Sequence, residues 1–297
     1  MINMDVYADA GKIIELCEYI KIPPEAYKQA LVYIENGAYK AVAPYFDGLF
    51  SKQTAAESCE AIVRHYTGED GAVADNGFGV MAVFLAAALK TREMYGARGV
   101  DERIYYDTMS FFNEILGENY IINGGCYSFD RASWYYRQIA CIIYKLGTLE
   151  FEMKNLAGGE ADHFKMPDNT PVLSVHIQTG SVFTRAALDT SYQMARTFFA
   201  KYYPDFKFEK IVCSSWLLSP ALKELLAEGS RILLFQSDYE IVNVHADSDS
   251  YFIYVFNSTD KNINADLLPE DTSLRRAIKK RLLNGGKIGT GSGVLKY

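Results

Sequence analysis

Apolar residues recur at helical spacing through the first half of the chain and then, from Thr148 onward, at a spacing of two. This one change of period limits the fold more than any motif does, because a helical stripe cannot sit still as a strand. Ile13, Leu16, Cys17 and Ile20 mark a first amphipathic helix, which Pro23-Pro24 must end. Tyr27, Leu31 and Ile34 repeat the stripe up to Gly37. Thr54 and Glu57 have the spacing of a capping box ahead of Cys59, Ile62, Val63 and Tyr66. Phe78 to Leu89 is apolar on nearly every face, so it is predicted to be the central helix of this region. Asp101 is placed to cap a helix with the stripe Tyr105, Met109, Phe112 and Leu116. The turn-rich Asn123-Gly124-Gly125 then interrupts, and the domain junction is expected there, with residues 1–123 helical and 124–297 forming a second domain.

One more helix is predicted to carry Tyr135, Ile139, Ile142, Ile143 and Leu146. Beyond it, Leu149, Phe151 and Met153 alternate with Thr148, Glu150 and Glu152 as a strand does. Val172 to Gln178 reads as a second strand, followed by a helix from about Thr184 to Pro204 and a third strand from Phe208 to Leu217. Ser219 and Pro220 open a short helix, Arg231 to Val244 contains a fourth strand, and Tyr251 to Phe256 reads as a fifth. A basic helix and a glycine-rich tail close the chain. A strand–helix–strand step embedded in hairpins implies a mixed sheet, so the fold class is α+β: an all-helical region followed by a mixed β-sheet with flanking helices.

Charge and composition exclude several classes of partner. The formal charge is −7 and no block of five or six like charges occurs, which argues against nucleic acid or an anionic membrane as partner. The longest apolar run falls well short of the roughly twenty residues that a membrane helix needs. Arg275, Arg276, Lys279, Lys280 and Arg281 surround the stripe Leu274, Ile278 and Leu282. They read as the solvated face of one helix or, alternatively, as a clamp for a phosphorylated ligand. The five cysteines are scattered without a CxxC pair, which encodes no local metal or redox site. Together with an N-terminus that lacks a basic start and an apolar core, this leads us to expect a cytoplasmic protein.

Three groups of residues could carry chemistry. Glu150 and Glu152 share one face of their strand, and His176 on a neighbouring strand would complete a carboxylate–imidazole cluster able to take a proton from an amine. Solvated polar residues on an open sheet face are the alternative. The segment Gln178-Thr179-Gly180-Ser181 turns from a strand toward a helix, where free backbone N–H groups suit a pyrophosphate, although an ordinary structural turn has the same look. Cys213-Ser214-Ser215-Trp216 could hold a nucleophile or simply pack a buried strand. His65, His163 and His245 show no metal-ligand spacing, and no metal site is expected.

The phrases KLGTLEFE (Lys145 to Glu152), VLSVHIQTG (Val172 to Gly180), VCSSWLLSP (Val212 to Pro220), SRILLFQ (Ser230 to Gln236), LPEDTSLRRA (Leu268 to Ala277) and GSGVL span most of the C-terminal half. With the element order from Leu149 onward, they resemble a bacterial family of acyltransferases that joins a helical N-acyltransferase N-terminal domain to a GNAT-like C-terminal domain. The resemblance implies acyl transfer from an acyl-CoA co-substrate to an amine on a small molecule or peptide. It implies a wedge between the strands Val172 to Gln178 and Phe208 to Leu217, where pantetheine lies along Val175 and Ile177. The pyrophosphate would then rest on Gln178, Thr179, Gly180 and Ser181, with Glu150, Glu152 and His176 as base candidates. Two features differ from the family pattern: the turn is not Q/R-x-x-G-x-G/A, and SPALKELL carries no tyrosine to protonate a leaving thiolate. The alternative is a GNAT-like module that binds a ligand or partner without catalysis.

Overall fold

The computed structural model describes residues 2–67 and 75–296. The chain divides into two compact units, Met1–Lys145 and Leu146–Tyr297. The unit boundary therefore lies beyond Asn123-Gly124-Gly125, which stands inside the first unit and ends a helix there: the Gly125 N–H donates to the Tyr120 carbonyl at 2.8 Å.

The first unit is built from α1 (Ala10–Tyr19), α2 (Pro24–Glu35), α3 (Ala43–Phe46), α4 (Ala55–His65), α5 (Phe78–Arg98), α6 (Glu102–Met109), α7 (Phe111–Ile122) and α8 (Ala132–Ile139). Among the described residues no strand precedes Ile143. Asp9 caps α1 by accepting from the Lys12 N–H at 3.1 Å, and Asp101 caps α6 from Arg103 at 2.8 Å. Helix α5 is the core of the unit: every residue from Phe78 to Leu89 is buried, and α1, α2, α6 and α8 pack against it. A helix so enclosed has no polar face to show, which is why the sequence shows no stripe there.

Two segments of the first unit differ from their expected form. Thr54 precedes α4 but forms no capping box; its backbone is already helical, and its hydroxyl donates instead to the Gly48 carbonyl at 2.8 Å. Helix α8 stops at Ile139 rather than Leu146. Cys141 adopts a left-handed φ of 56°, the Ile142 N–H closes back on the Arg137 carbonyl at 2.9 Å, and Ile143–Leu146 is β1. The β-branched Ile142-Ile143 pair favours the extended chain over another helical turn.

The second unit contains β2 (Leu149–Asn155), α9 (Gly159–Phe164), β3 (Pro171–His176), α10 (Arg185–Tyr202), β4 (Lys210–Ser215), α11 (Leu222–Leu225), α12 (Arg231–Ser237), β5 (Tyr239–His245), α13 (Tyr251–Phe256), α14 (Ser273–Leu283) and β6 (Thr290–Leu295). The sheet order is β1-β2-β3-β4-β6-β5, with β3 and β4 parallel and β2–β3, β4–β6 and β5–β6 antiparallel. It is the mixed α+β arrangement expected from the period change.

Two elements of this unit differ from the expectation. Tyr251–Phe256 is a helix, not a strand: Tyr251, Phe252, Val255 and Phe256 bury one face against Leu222, Leu268 and Ile278. A six-residue aromatic and β-branched run has no period long enough to separate the two structures. The glycine-rich tail is β6, inserted between β4 and β5. Its glycines allow close approach, since a Cβ on Gly291 would lie 2.3 Å from the Leu218 carbonyl oxygen.

Helix α14 packs as its stripe predicts. Ile278 is fully buried, and Leu274 and Leu282 lie against the same cluster. Three of its cations meet carboxylates: Arg275 meets Asp271 at 2.8 Å, Arg281 meets Glu224 at 2.6 Å and Lys279 lies 3.7 Å from Glu270. Arg276 donates instead to the Glu270 backbone carbonyl at 2.7 Å.

The packing yields a stability prediction of opposite signs. Gly291→Ala should cost about 1–3 kcal/mol through overpacking, and Ile278→Ala about 2–5 kcal/mol through a cavity. Gly117→Ala, on α7 with open space where its Cβ would lie, should instead stabilise by about 0.5–1 kcal/mol. Urea denaturation of the three variants checks the order, and a destabilised Gly117→Ala would contradict the packing described.

Candidate active site

Strand pairing assembles the polar cluster. The β2–β3 ladder sets Glu150 opposite His176 and Glu152 opposite Ser174, so all four side chains project from one sheet face. The His176 ring reaches along this ladder to Glu152, with Nε2 2.8 Å from Oε2. Gln178 lies just past the end of β3, and its Nε2 donates to Glu150 Oε1 at 2.7 Å. The two carboxylates are buried, Glu150 at 2% and Glu152 at 7% exposure. They are not solvated residues on an open face. Burying carboxylates is costly unless hydrogen bonds are built for them, and here an imidazole and an amide supply them.

Beside this cluster the sheet opens. The parallel β3–β4 register comprises Val172↔Lys210, Leu173↔Ile211 and Ser174↔Val212, and it ends there. Past that point β3 remains paired with β2 through Val175 and His176, and β4 remains paired with β6 through Cys213, Ser214 and Ser215. Each strand keeps its outer neighbour while the two leave one another. Trp216, just after β4, packs into the cluster around Leu222 and Tyr251.

The turn after β3 differs from its expected form. The Ser181 N–H and hydroxyl both close on the Gln178 carbonyl, at 3.1 and 2.8 Å, and the Val182 N–H donates to the Thr148 hydroxyl at 2.6 Å. Helix α10 starts only at Arg185, capped by Thr184 accepting from Ala187 at 3.3 Å. The Ser181 N–H is therefore consumed within the turn, and residues 179–181 stand ahead of the helix rather than at its first turn. Thr179 and Gly180 are exposed, and Gly180 carries the φ of 86° that this reversal needs. Arg185 anchors α10 through a bidentate pair with the buried Asp238, at 2.6 and 3.0 Å.

Cys213 is fully buried on β4, and burial pushes its thiol well above the ordinary range. A thiol held so far from its thiolate is a packing group, not a nucleophile. Ser214 is exposed on the same sheet face as Ser174 and His176, with its hydroxyl 3.2 Å from that of Ser292. His163 and His245, far apart in sequence, bring their rings to 4.3 Å without joining the cluster. An open depression of about 540 Å³ lined by Glu224, Leu225, Lys280 and Arg281 lies along α11 and α14 and contains none of these groups.

The fold agrees with the comparisons with known proteins. Residues 143–295 match the model of the GNAT-like C-terminal domain, and residues 11–141 match the N-acyltransferase N-terminal domain. The chain belongs to the family defined by the GNAT-like C-terminal domain. Among solved structures it is similar to an acyltransferase in complex with decanoyl-CoA and teicoplanin, at 23% identity and a TM-score of 0.75, covering 96% of this chain and 88% of that one. It is also similar to an acyltransferase in complex with decanoyl-CoA, at 21% identity and a TM-score of 0.76, covering 97% and 88%. An acyltransferase mutant in complex with octanoyl-CoA aligns at 23% identity and a TM-score of 0.75, covering 97% and 88%. A comparison with functionally curated proteins finds no match.

The thiols give a direct check of this site description. Burial pushes Cys17 and Cys59 up to about 12 and Cys141 to about 11, and Cys126 alone among the five is exposed. Iodoacetamide at pH 8 should label Cys126 in the native protein and the other four only after unfolding, as read by peptide mass spectrometry. Rapid native labelling of Cys213 would reopen the nucleophile reading.

Proposed function

We propose that this protein is an acyl-CoA-dependent N-acyltransferase that acylates an amine on a small molecule or peptide. The observation that carries this reading is the β3–β4 split beyond Ser174 and Val212, with the His176–Glu152 pair at its side. Pantetheine adds to the wedge as a short strand would, hydrogen-bonding the strand edges around Val175 and Ile177 on one side and Cys213 to Ser215 on the other. The turn of Gln178, Thr179, Gly180 and Ser181 receives the pyrophosphate, with the exposed Gly180 as a backbone donor. Decanoyl-CoA and octanoyl-CoA, bound by the structural neighbours, are the acyl donors to try first.

The residues divide the work by position. Glu152 and Glu150 lie on β2, one strand away from the wedge, whereas His176 is on β3 at its edge. His176 is therefore the base. When its Nε2–H donates to Glu152, the tautomer is set with the lone pair on Nδ1, which takes the proton of the attacking amine. Glu152 orients the ring and stabilises the imidazolium. The C–N bond forms, the C–S bond breaks and the thiolate leaves; Ser214, exposed on the same sheet face, donates a hydrogen bond to it in place of the tyrosine that SPALKELL lacks. No covalent acyl-enzyme is needed, in keeping with the buried Cys213.

Among the described residues no helix is long and apolar enough to cross a membrane. The cytoplasm suits the four buried free thiols, and carboxylate-paired cations on α14 offer nucleic acid no footprint.

CoA at a hundred times its Kd should raise the unfolding free energy by about 2.7 kcal/mol, seen as a higher Tm. No shift with CoA or decanoyl-CoA would sink the reading. Gly180→Pro should weaken that stabilisation by removing a donor and a left-handed turn. His176→Ala should lower turnover about 10²–10⁴-fold with little change in acyl-CoA affinity. Glu152→Gln should cost less, and unchanged turnover in His176→Ala would move the base elsewhere.

A further inference from the structure

The Gln178 amide has one end engaged and the other stranded. A carboxylate accepts hydrogen bonds and cannot donate them, so the atom facing Glu150 Oε1 at 2.7 Å is the amide nitrogen. The opposite end is then Oε1, which is buried without a hydrogen-bond partner among the described residues. A desolvated, unanswered carbonyl is costly, by an amount comparable to what a hydrogen bond to a charged group returns. The contact with Glu150 is thus held at an expense.

The backbone around it is pinned while the side chain is not part of the pin. The Gln178 carbonyl accepts from both the N–H and the hydroxyl of Ser181, which ties the turn. A swing about the side-chain torsions leaves those bonds intact. Gln178 also leans toward β2, as its bond to Glu150 shows, and so away from the edge where β4 departs. Its side chain therefore covers the carboxylate side of the face and not the pantetheine line.

We propose that Gln178 is a displaceable stand-in for the acceptor: its amide occupies the Glu150 oxygen to which an N–H of the incoming amine binds. As the acceptor enters, the amide swings away, Oε1 regains a partner in water or ligand, and Glu150 passes from a neutral donor to a cationic one. The class of ligand follows from the exchange. What replaces the amide on the carboxylate oxygen must bring a hydrogen-bond donor of its own, and a buried carboxylate favours one that carries positive charge. Glu150 and Gln178 thus select an ammonium that carries N–H and orient it beside His176, while a quaternary nitrogen, which has no N–H, gains nothing from the swing. This inference rests on the acyl-transfer reading above.

The test is the sign of one affinity change. n-Butylammonium chloride and tetramethylammonium chloride are titrated into the CoA-saturated protein by calorimetry. The first has N–H donors, and the second carries the same charge without them. Wild type should bind n-butylammonium in preference to tetramethylammonium, and Glu150→Gln should lose that preference. Gln178→Ala and the bulkier Gln178→Met should both bind n-butylammonium about three- to tenfold more tightly, because the competing donor is gone. If Gln178 were an ordinary ligand contact, both variants would bind more weakly. Weaker or unchanged affinity in a folded variant overturns the proposal, as does the absence of n-butylammonium binding to wild type. Failure of CoA itself to stabilise the wild-type protein would instead overturn the acyl-transfer reading.

Discussion

The parallel pairing of β3 with β4 lasts for Val172, Leu173 and Ser174 and no further, and the site depends on that early end. Strand edges carry unmet N–H and C=O groups, which is normally a hazard. Here the two edges face one another inside a sheet whose outer ladders, β2–β3 and β4–β6, continue undisturbed. Each edge is consequently held by its outer neighbour where the β3–β4 register has ended. Packing after β4 helps to keep the two edges apart: Trp216 and Leu217 turn away from the strand direction, and Gln236 grips the Leu217 and Ser219 carbonyls at 3.3 and 2.8 Å.

The glycines of β6 belong to the same device. Gly291 lies under the Leu218 carbonyl and pairs with Ser215, so the turn leaving β4 can press onto the sheet. A larger residue there would lift that turn and change where β4 points. Strand β6 also gives β4 a partner beyond Val212, without which the split would be loose on one side. The tail is therefore part of the sheet that β3 and β4 share, although Val172 and Leu295 lie far apart in sequence.

The chemistry is concentrated on one face, and the division between its members follows from distance to the gap. His176 sits on the strand that borders the gap, with its carboxylate partner one strand behind it. The other face is apolar and aromatic, with Cys213, Tyr192 and Tyr239 buried and their titrations driven upward by loss of water. On β2 and β3 that face carries Phe151, Met153, Leu173 and Val175, so the hydrogen-bonded polar groups of these two strands gather on the Glu150–Glu152–His176 side.

Much of this was legible in the sequence, for reasons that are local. Helical stripes through Leu116 and the alternation beginning at Leu149 named the two kinds of architecture, because periodicity reports which face an element must bury. The parity of Glu150, Glu152 and His176 placed three polar side chains on consistent strand faces, since side-chain direction along a strand is covalent geometry. What the sequence could not contain was adjacency. That His176 reaches Glu152, that Gln178 meets Glu150, and that β3 and β4 separate after Ser174 depend on which strands lie side by side and where their register stops. The same limit hid β6, whose glycines look like a flexible tail until the Leu218 carbonyl is set against them. It also hid the helix Tyr251–Phe256, where burial against Ile278 outweighed the strand preference of six aromatic and branched residues. Local chemistry determined the elements and the faces; only long-range packing decided which edges met, and the site lies where two of them do not.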